Sequence, residues 1–590
     1  MSLLGRKDAW GLMGVAAGVA VASPWLAGHA ELLPLSLLAP VLGTSWIASQ
    51  RADKWHSRVD TESREGFVLA SDPVPEEDPY KSLAFGFTKD KLEQLRIRDQ
   101  FMVRHTAIIG QSGVGKTTLG EYLLWQQILR GGGFIFIDAK LDAETRDKLA
   151  FMMRVAGRAS EFQVLNVDDP ANSNSYNPIL EGDADEVSSR LLNLLPSAEN
   201  SPGADFFRQQ AGYALTVLTG ALKSAKRRYH MLDISILLQS DRALESLLRL
   251  PMEDGPRRTL EIFLNQFRKK DKTGNPIDVD RLKTTFGGLA GRISNFAQGK
   301  FGDVFNTYTP EIDLTRTVTR NMGLYCMLPT MGKDNAALSL GKMILSDLRT
   351  AVYRVQALRP EMRPNPPFLV FADEMGSYVM SGIARLFEQA RSAQIMMMPA
   401  FQTFANLRTV SPDFEDIIIG NTWNKVFFKF ASRDSPEIAA EVIGKSKKWV
   451  RSLSASENEG ASQSNLRSTP DGNASKSGGL AESWRESEEY RVGPDNLKSL
   501  GVGQAIVISG TNIYHIDTPM LHFPAPIPEY RASKRHLQIP AGEHGLNLSE
   551  RYREFMSAGI NADQVPEFLS TGPGAASAVP DEARTGGPGT

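Results

Sequence analysis

His105-Thr106-Ala107-Ile108-Ile109-Gly110-Gln111-Ser112-Gly113-Val114-Gly115-Lys116-Thr117-Thr118-Leu119 is the stretch on which the reading of this 590-residue chain turns. Its first five residues predict a short buried strand, and residues 118–125 predict an amphipathic helix. Between them, Gly110 to Thr117 spells G-x-x-x-x-G-K-T in the strand–loop–helix setting that the motif requires. Its glycines let the backbone wrap tightly, so that amides and the helix N-terminus point at phosphate oxygens. Lys116 is placed to neutralise β- and γ-phosphates, and the Thr117 hydroxyl to take one magnesium position. The candidate nucleotide-binding residues are therefore Gly110, Gln111, Ser112, Gly113, Val114, Gly115, Lys116, Thr117 and Thr118. The expected cofactors are ATP and Mg2+.

A P-loop needs a second strand whose acid holds the magnesium, usually through water. Pro367-Phe368-Leu369-Val370-Phe371-Ala372-Asp373-Glu374 supplies an apolar run that ends in two carboxylates. Asp373 is the expected magnesium residue. Glu374 is expected to orient or deprotonate the attacking water. The plainer reading is an ordinary strand ending in solvated acids, and the upstream P-loop argues against it. Further strands are expected at 134–140, 162–166, 324–329 and 425–430, alternating with helices such as 143–156, which specifies a parallel α/β sheet. Cys326, the chain's single cysteine, falls in one of these strands and reads as core.

Composition leaves this reading undisturbed. Hydrophobic residues make up 42% and charged residues 23%, which is ordinary for a globular chain. Lys and Arg (66) nearly cancel Asp and Glu (68), so a nucleic-acid site would have to be local rather than a global basic field. One cysteine excludes a disulfide framework and any multi-cysteine metal site.

Residues 9–27 and 32–49 carry no charged side chain. As helices they would extend about 27–29 Å, enough to cross a bilayer core. Arg6 and Lys7 precede the first span, and Arg51, Lys54 and Arg58 follow the second. That bias places both termini in the cytoplasm. A cleaved signal peptide and a buried soluble hairpin are the competing readings. Prolines 24, 34 and 40 favour the latter, and the charge-free runs favour a membrane hairpin.

From 177 to about 295 the strand pattern stops. Apolar spacing at i, i+3, i+4 runs through 184–195, 206–222, 232–238, 243–250 and 257–267, which predicts inserted amphipathic helices. Lys226-Arg227-Arg228 and Arg268-Lys269-Lys270 are basic clusters able to touch phosphates. Their plainer reading is solvated charge suited to helix C-termini. The expected organisation is a transmembrane hairpin at 1–50 and a polar linker at 51–98. A nucleotide-binding domain follows in two parts, 99–180 and 299–530, around an all-α insertion at 181–298. A flexible Ser/Asn/Gly-rich excursion is expected at 452–486, and a C-terminal extension at 531–590. That extension includes an amphipathic helix at 549–557 and a terminal stretch with the composition of disorder.

With these pieces in order, the chain resembles the type IV coupling proteins, the TraD/TraG group of conjugation ATPases in the FtsK/HerA branch. The hairpin, the P-loop, Ile137-Asp138-Ala139-Lys140, Ser175-Tyr176-Asn177-Pro178, Asp373-Glu374, Gln389-Ala390-Arg391-Ser392-Ala393, Phe401-Gln402-Thr403 and Asn421 carry the resemblance, over roughly residues 1–530. It implies a RecA-like P-loop domain in a homohexameric ring at the bacterial inner membrane. The implied partners are single-stranded DNA, a relaxase and the components of a type IV secretion channel; the effector-secreting form of the family fits equally. It implies that Arg391 is an arginine finger reaching a neighbour's γ-phosphate, stabilising charge on the transferring oxygens. A surface arginine is the alternative. It likewise implies a sensor role for Gln402, whose amide both donates and accepts hydrogen bonds. A receptor that uses nucleotide only for assembly, and an FtsK-like double-stranded DNA pump, are the rival functions.

Overall fold

The computed structural model describes residues 78–550, apart from 90–91, 196–201, 270–274, 331–333, 380–381, 412, 459–476 and 549. The hairpin over 9–49, the helix at 549–557 and the terminal stretch lie outside the described residues. Among those described, no helix is long and apolar enough to cross a membrane.

Eleven strands form one mixed sheet. In chain order they are β1 (Ser82–Thr88), β2 (Gln94–Arg98), β3 (Thr106–Ile109), β4 (Phe134–Asp138), β5 (Phe162–Asn166), β6 (Gly323–Met327), β7 (Phe368–Ala372), β8 (Ile395–Phe401), β9 (Asn424–Phe427), β10 (Gln504–Ser509) and β11 (Asn512–Asp517). Their spatial order is β2-β1-β11-β10-β9-β3-β8-β7-β4-β6-β5. The run from β9 to β5 is parallel, and β10, β11, β1 and β2 extend it as antiparallel strands. Every residue of β3 to β8 is buried, which is why these strands read as unbroken apolar runs.

Alternate side chains feed two cores. One face takes Ile108, Phe134, Phe136 and Val164 against helices α1 (Lys116–Leu129) and α2 (Ala143–Val155). The other takes Ile109, Ile135, Ile137 and Leu165, and its core runs without a break into the helical region through Leu218, Phe263 and Phe286. That region contains helices Ala184–Leu192, Pro202–Ser224, Met231–Leu237, Asp241–Leu248, Asp254–Asn265 and Val279–Ala297. It is thus welded to the sheet rather than built on a core of its own. Helical structure also continues past 298, through Gly299–Phe305 and Leu314–Thr319.

Two expectations are corrected. The polar linker 51–98 contains β1 and β2, which complete the antiparallel edge. Leu83, Phe85, Leu95 and Ile97 are buried there, and in β2 Arg96 and Arg98 interleave with the apolar pair. The flexible excursion 452–486 is at both ends a regular antiparallel ribbon, Lys445–Asn458 paired with Ser477–Tyr490 in continuous register. Backbone ladder hydrogen bonds form irrespective of side-chain polarity, so Ser-rich composition concealed the strands. The basic clusters are engaged in local contacts: Arg228 pairs with Glu543, and Arg268 with Glu245.

Candidate nucleotide site

The site lies at the C-terminal edge of the parallel strands. β3 ends in the P-loop, which Gly113 (φ +77°) and Gly115 (φ +110°) turn through left-handed conformations. Gly110 passes so close to the strand beside it that a Cβ there would stand 2.5 Å from the Phe428 Cβ. The loop is hung on both neighbours: Gly110 N–H donates to Phe401 O (3.1 Å) and Gln111 N–H to Lys429 O (3.0 Å). The Lys116 ammonium is folded back onto the loop, donating to the carbonyls of Gly110 (2.6 Å) and Gln111 (2.8 Å). Burial lowers its pKa, and Asp373 and Glu374 oppose that shift.

β7 delivers the acidic pair. The Thr117 hydroxyl donates to Asp373 Oδ2 at 3.3 Å across 256 residues of sequence. Burial raises the Asp373 pKa against the pull of Lys140 and Lys116. Glu374 adopts a left-handed backbone (φ +49°), a conformation that costs a non-glycine residue about 1–3 kcal/mol and concentrates at functional sites. Its Oε1 accepts from Gln402 Nε2 (2.9 Å) and from Lys140 Nζ (3.0 Å). β8 lies between β3 and β7, so Gln402 at its end bridges the P-loop and the acids. A hydroxyl and a carboxylate in contact are hard oxygen donors of the kind magnesium takes with nucleotide phosphates. The open space around Gly113 leaves room for the phosphates themselves. The residues present fit a magnesium nucleotide. Among the described residues, no cluster of three or more His, Cys, Asp or Glu side chains forms a separate metal site.

Several residues of this edge had been given no role from the sequence, although Asp138 and Lys140 lie in one of the segments that carry the resemblance. Asp138, at the end of β4, accepts from the Tyr325 hydroxyl (2.6 Å), and burial pushes its carboxyl up to about 7. The Tyr378 hydroxyl donates to Asp373 O (2.9 Å). Lys140 had a visible signal, a cation two residues beyond a strand. Its pairing with Glu374 needed the adjacency of β4 and β7, which the sequence does not print. A cleft of about 530 Å3 opens from Thr117 and Asp373 toward α2, and residues 520–527 of the C-terminal chain wall it.

Arg391 is elsewhere. It caps helix Ala384–Ala390, at the start of β8, whereas Gln402 is at that strand's end. Seven residues of strand separate them, about 20 Å. Arg391 lines a second cleft, about 640 Å3, with Arg104, Trp423 and Lys425. His105 (φ +70°) ties this edge together: Nε2 meets Phe387 O at 2.6 Å and Nδ1 accepts from Met397 N–H at 3.1 Å. Burial pushes its imidazole down to about 4, so the ring is neutral at physiological pH. Cys326 is buried with its thiol pKa raised, as a core residue should be.

A family model described as the TraM recognition site of TraD and TraG matches residues 367–477. The type 4 coupling protein DotL of Legionella pneumophila is 24% identical over 393 residues, 58% of this chain and 49% of its own length. By these matches the chain is similar to the type IV coupling proteins. Its match spans about half the length of DotL. An uncharacterised protein of Mycoplasma pneumoniae is 29% identical over 106 residues, 18% of this chain and 67% of its own. The unbound conjugative coupling protein TrwB aligns with a TM-score of 0.48 at 15% identity, over 76% of this chain and 92% of that one. TrwB has also been solved in complex with ADP and Mg2+. The segment matched by the family model carries Asp373, Glu374, Arg391 and Gln402, and the P-loop lies outside it.

Proposed function

We propose that this protein is a coupling protein that binds and hydrolyses ATP with Mg2+, and that hydrolysis drives substrate into a type IV secretion channel. The observation that carries the reading is the junction of Thr117 with Asp373 and of Gln402 with Glu374, made across β8 from remote parts of the chain. Bound magnesium supplies charge neutralisation at the transferring phosphoryl group. The Thr117 hydroxyl and the Asp373 carboxylate are the residues to hold it, with Lys116 turning from its loop carbonyls toward phosphate. Glu374, fixed by Gln402 and Lys140, is set to orient water. Arg391, about 20 Å from its own acidic pair, serves a second copy of the chain, in a ring we take to be hexameric. Single-stranded DNA with its relaxase is the substrate we infer, the inner membrane the location, and 1–50 the anchor. The family description as a TraM recognition site and the DotL match support the secretion-system partners.

Glu374→Gln tests the motor against a receptor that merely binds nucleotide. The expected result is loss of DNA transfer and of hydrolysis, with nucleotide binding and assembly retained. Unimpaired transfer would leave the receptor reading in its place.

A further inference from the structure

The chain leaves β11 at Asp517 and does not end in solvent. It crosses the mouth of the cleft, where Met520, Leu521, His522 and Phe523 face Thr117, Thr118 and Asp373. Phe523 lies against Phe151 of α2 (6.3 Å between centroids) and beneath Lys148 Nζ (5.6 Å). Tyr530 then packs edge-on to Phe162, and its N–H donates to Asp147 (2.9 Å). Arg535 N–H donates to Glu311 Oε1 (2.6 Å), in the segment that returns from the helical region to the sheet.

After an exposed stretch at 536–541, the chain docks on the helical region. His544–Gly545 add as a parallel strand to Arg227–Arg228, with His544 N–H donating to Lys226 O (3.1 Å) and Leu546 N–H to Arg228 O (2.9 Å). Leu546 and Leu548 are fully buried. Leu548 N–H donates to the buried Asp233 carboxylate (3.2 Å), which also accepts from Tyr308 (3.0 Å), and the Tyr308 hydroxyl accepts from Asn547 N–H (2.7 Å). Undocking would take one of three donors from the buried Asp233 carboxylate, leaving Tyr308 and the His230 N–H, and would uncover Leu546 and Leu548, which makes this a specific seat.

We propose that residues 518–548 are a strap that belongs to the nucleotide site at one end and to the helical region at the other. It reports occupancy of the cleft to the helical region. The helical region is joined covalently to the sheet near 177–183 and 306–313, and the strap is a third crossing. It is the only one of the three whose side chains line the cleft beside Thr117 and Asp373. A ligand at Thr117 and Asp373 must share that cleft with Met520–Phe523, and any displacement passes through the anchors at Tyr530 and Arg535 to the seat at 543–548. The inference rests on the nucleotide reading above, and the test separates the two.

Hydrogen exchange of the full chain is followed with and without Mg2+ and a non-hydrolysable ATP analogue. Added protection is expected at 110–118, at 518–528, and at 226–230 with 543–548. A flexible Gly-Ser insert of about ten residues between Gln538 and Ile539, within the exposed stretch, should keep the first two responses and abolish the third. Tyr308→Phe, which keeps the ring and removes the hydroxyl, should weaken the third alone. A helical-end response that survives the insert overturns the strap, as does protection at 110–118 with none at 518–528. No protection at 110–118 would overturn the nucleotide reading and the strap together.

Discussion

Arg190 is the side chain whose removal tests how the helical region is fastened to the sheet. Its guanidinium is fully buried and pairs with Asp347 at 3.0 Å on helix Asp334–Gln356. It also donates to Thr350 Oγ1 (2.9 Å), to Glu181 O (3.1 Å) and to Pro178 O. Beyond Arg190, Asp347 accepts from the Tyr176 hydroxyl at 2.7 Å. Arg190→Met therefore leaves a carboxylate in the core, and breaking a buried pair in this way costs about 3–5 kcal/mol. Burial already holds the Asp347 carboxyl up at about 6, with Arg190 pulling it down. Without Arg190 it rises further, at roughly 1.4 kcal/mol per unit. An acid whose folded pKa is raised contributes stability at low pH and loses it as pH rises through that value. The deficit of the variant is accordingly largest near pH 8 and shrinks below about pH 6, where Asp347 is protonated with or without its partner. Urea unfolding at pH 5 and pH 8 measures both. Arg190→Met combined with Asp347→Leu should recover most of the loss, because an apolar pair of similar volume replaces a buried ion pair at little cost. A single variant that loses less than about 1 kcal/mol at pH 8 would refute the reasoning. So would a double variant no more stable than the single.

Gly110→Ala forces the P-loop off the Phe428 backbone, and should weaken nucleotide binding by about tenfold or more, or ~1.4 kcal/mol, in a fluorescent-nucleotide titration. Unchanged affinity would show that the loop has slack. His105, pushed down to about 4 from an unfolded value near 6.5, contributes about 3 kcal/mol that is present above pH 6.5 and lost as pH falls toward 4. His105→Asn tolerates the left-handed backbone and should flatten that part of the stability–pH curve, whereas an unaltered curve would assign it to other groups. Tyr325→Phe removes a hydrogen bond that favours ionised Asp138, so the carboxyl midpoint in an isotope-edited titration should move above about 7; a fall would contradict the geometry. Arg391→Ala and Lys116→Ala subunits, each inactive alone, should regain hydrolysis when mixed, since one supplies the P-loop and the other the arginine. Absence of recovery would confine each active site to a single chain.

What the sequence made legible was whatever declares itself over a few consecutive residues. The P-loop is a local pattern, and the buried parallel strands are apolar runs long enough to see. β1 escaped because its short apolar run sits among polar segments, and β2 because Gln94, Arg96 and Arg98 alternate with its two buried apolar residues. The paired strands Lys445–Asn458 and Ser477–Tyr490 escaped because a ladder of backbone bonds needs no apolar signature. Lys140, Tyr325 and the residues at 520–527 escaped for a different reason. Their roles depend on which strands are neighbours and on where a distant chain returns, and neither is a property of any window of sequence.

Sheet order also explains why Gln402 and Arg391, eleven positions apart, have such different surroundings. β8 is wedged between the P-loop strand and the acidic strand, buried along its whole length, and bonded on both sides to parallel neighbours. A strand so held cannot shift one end without the other. Gln402 rests on Glu374 at the nucleotide edge, while at the opposite edge His105 holds the β8 backbone and the helix that ends in Arg391. A change at Glu374 and a change at Arg391 are therefore two ends of one rigid element. In an assembly where Arg391 reaches a second copy, β8 is the shortest mechanical path from one nucleotide site to the next.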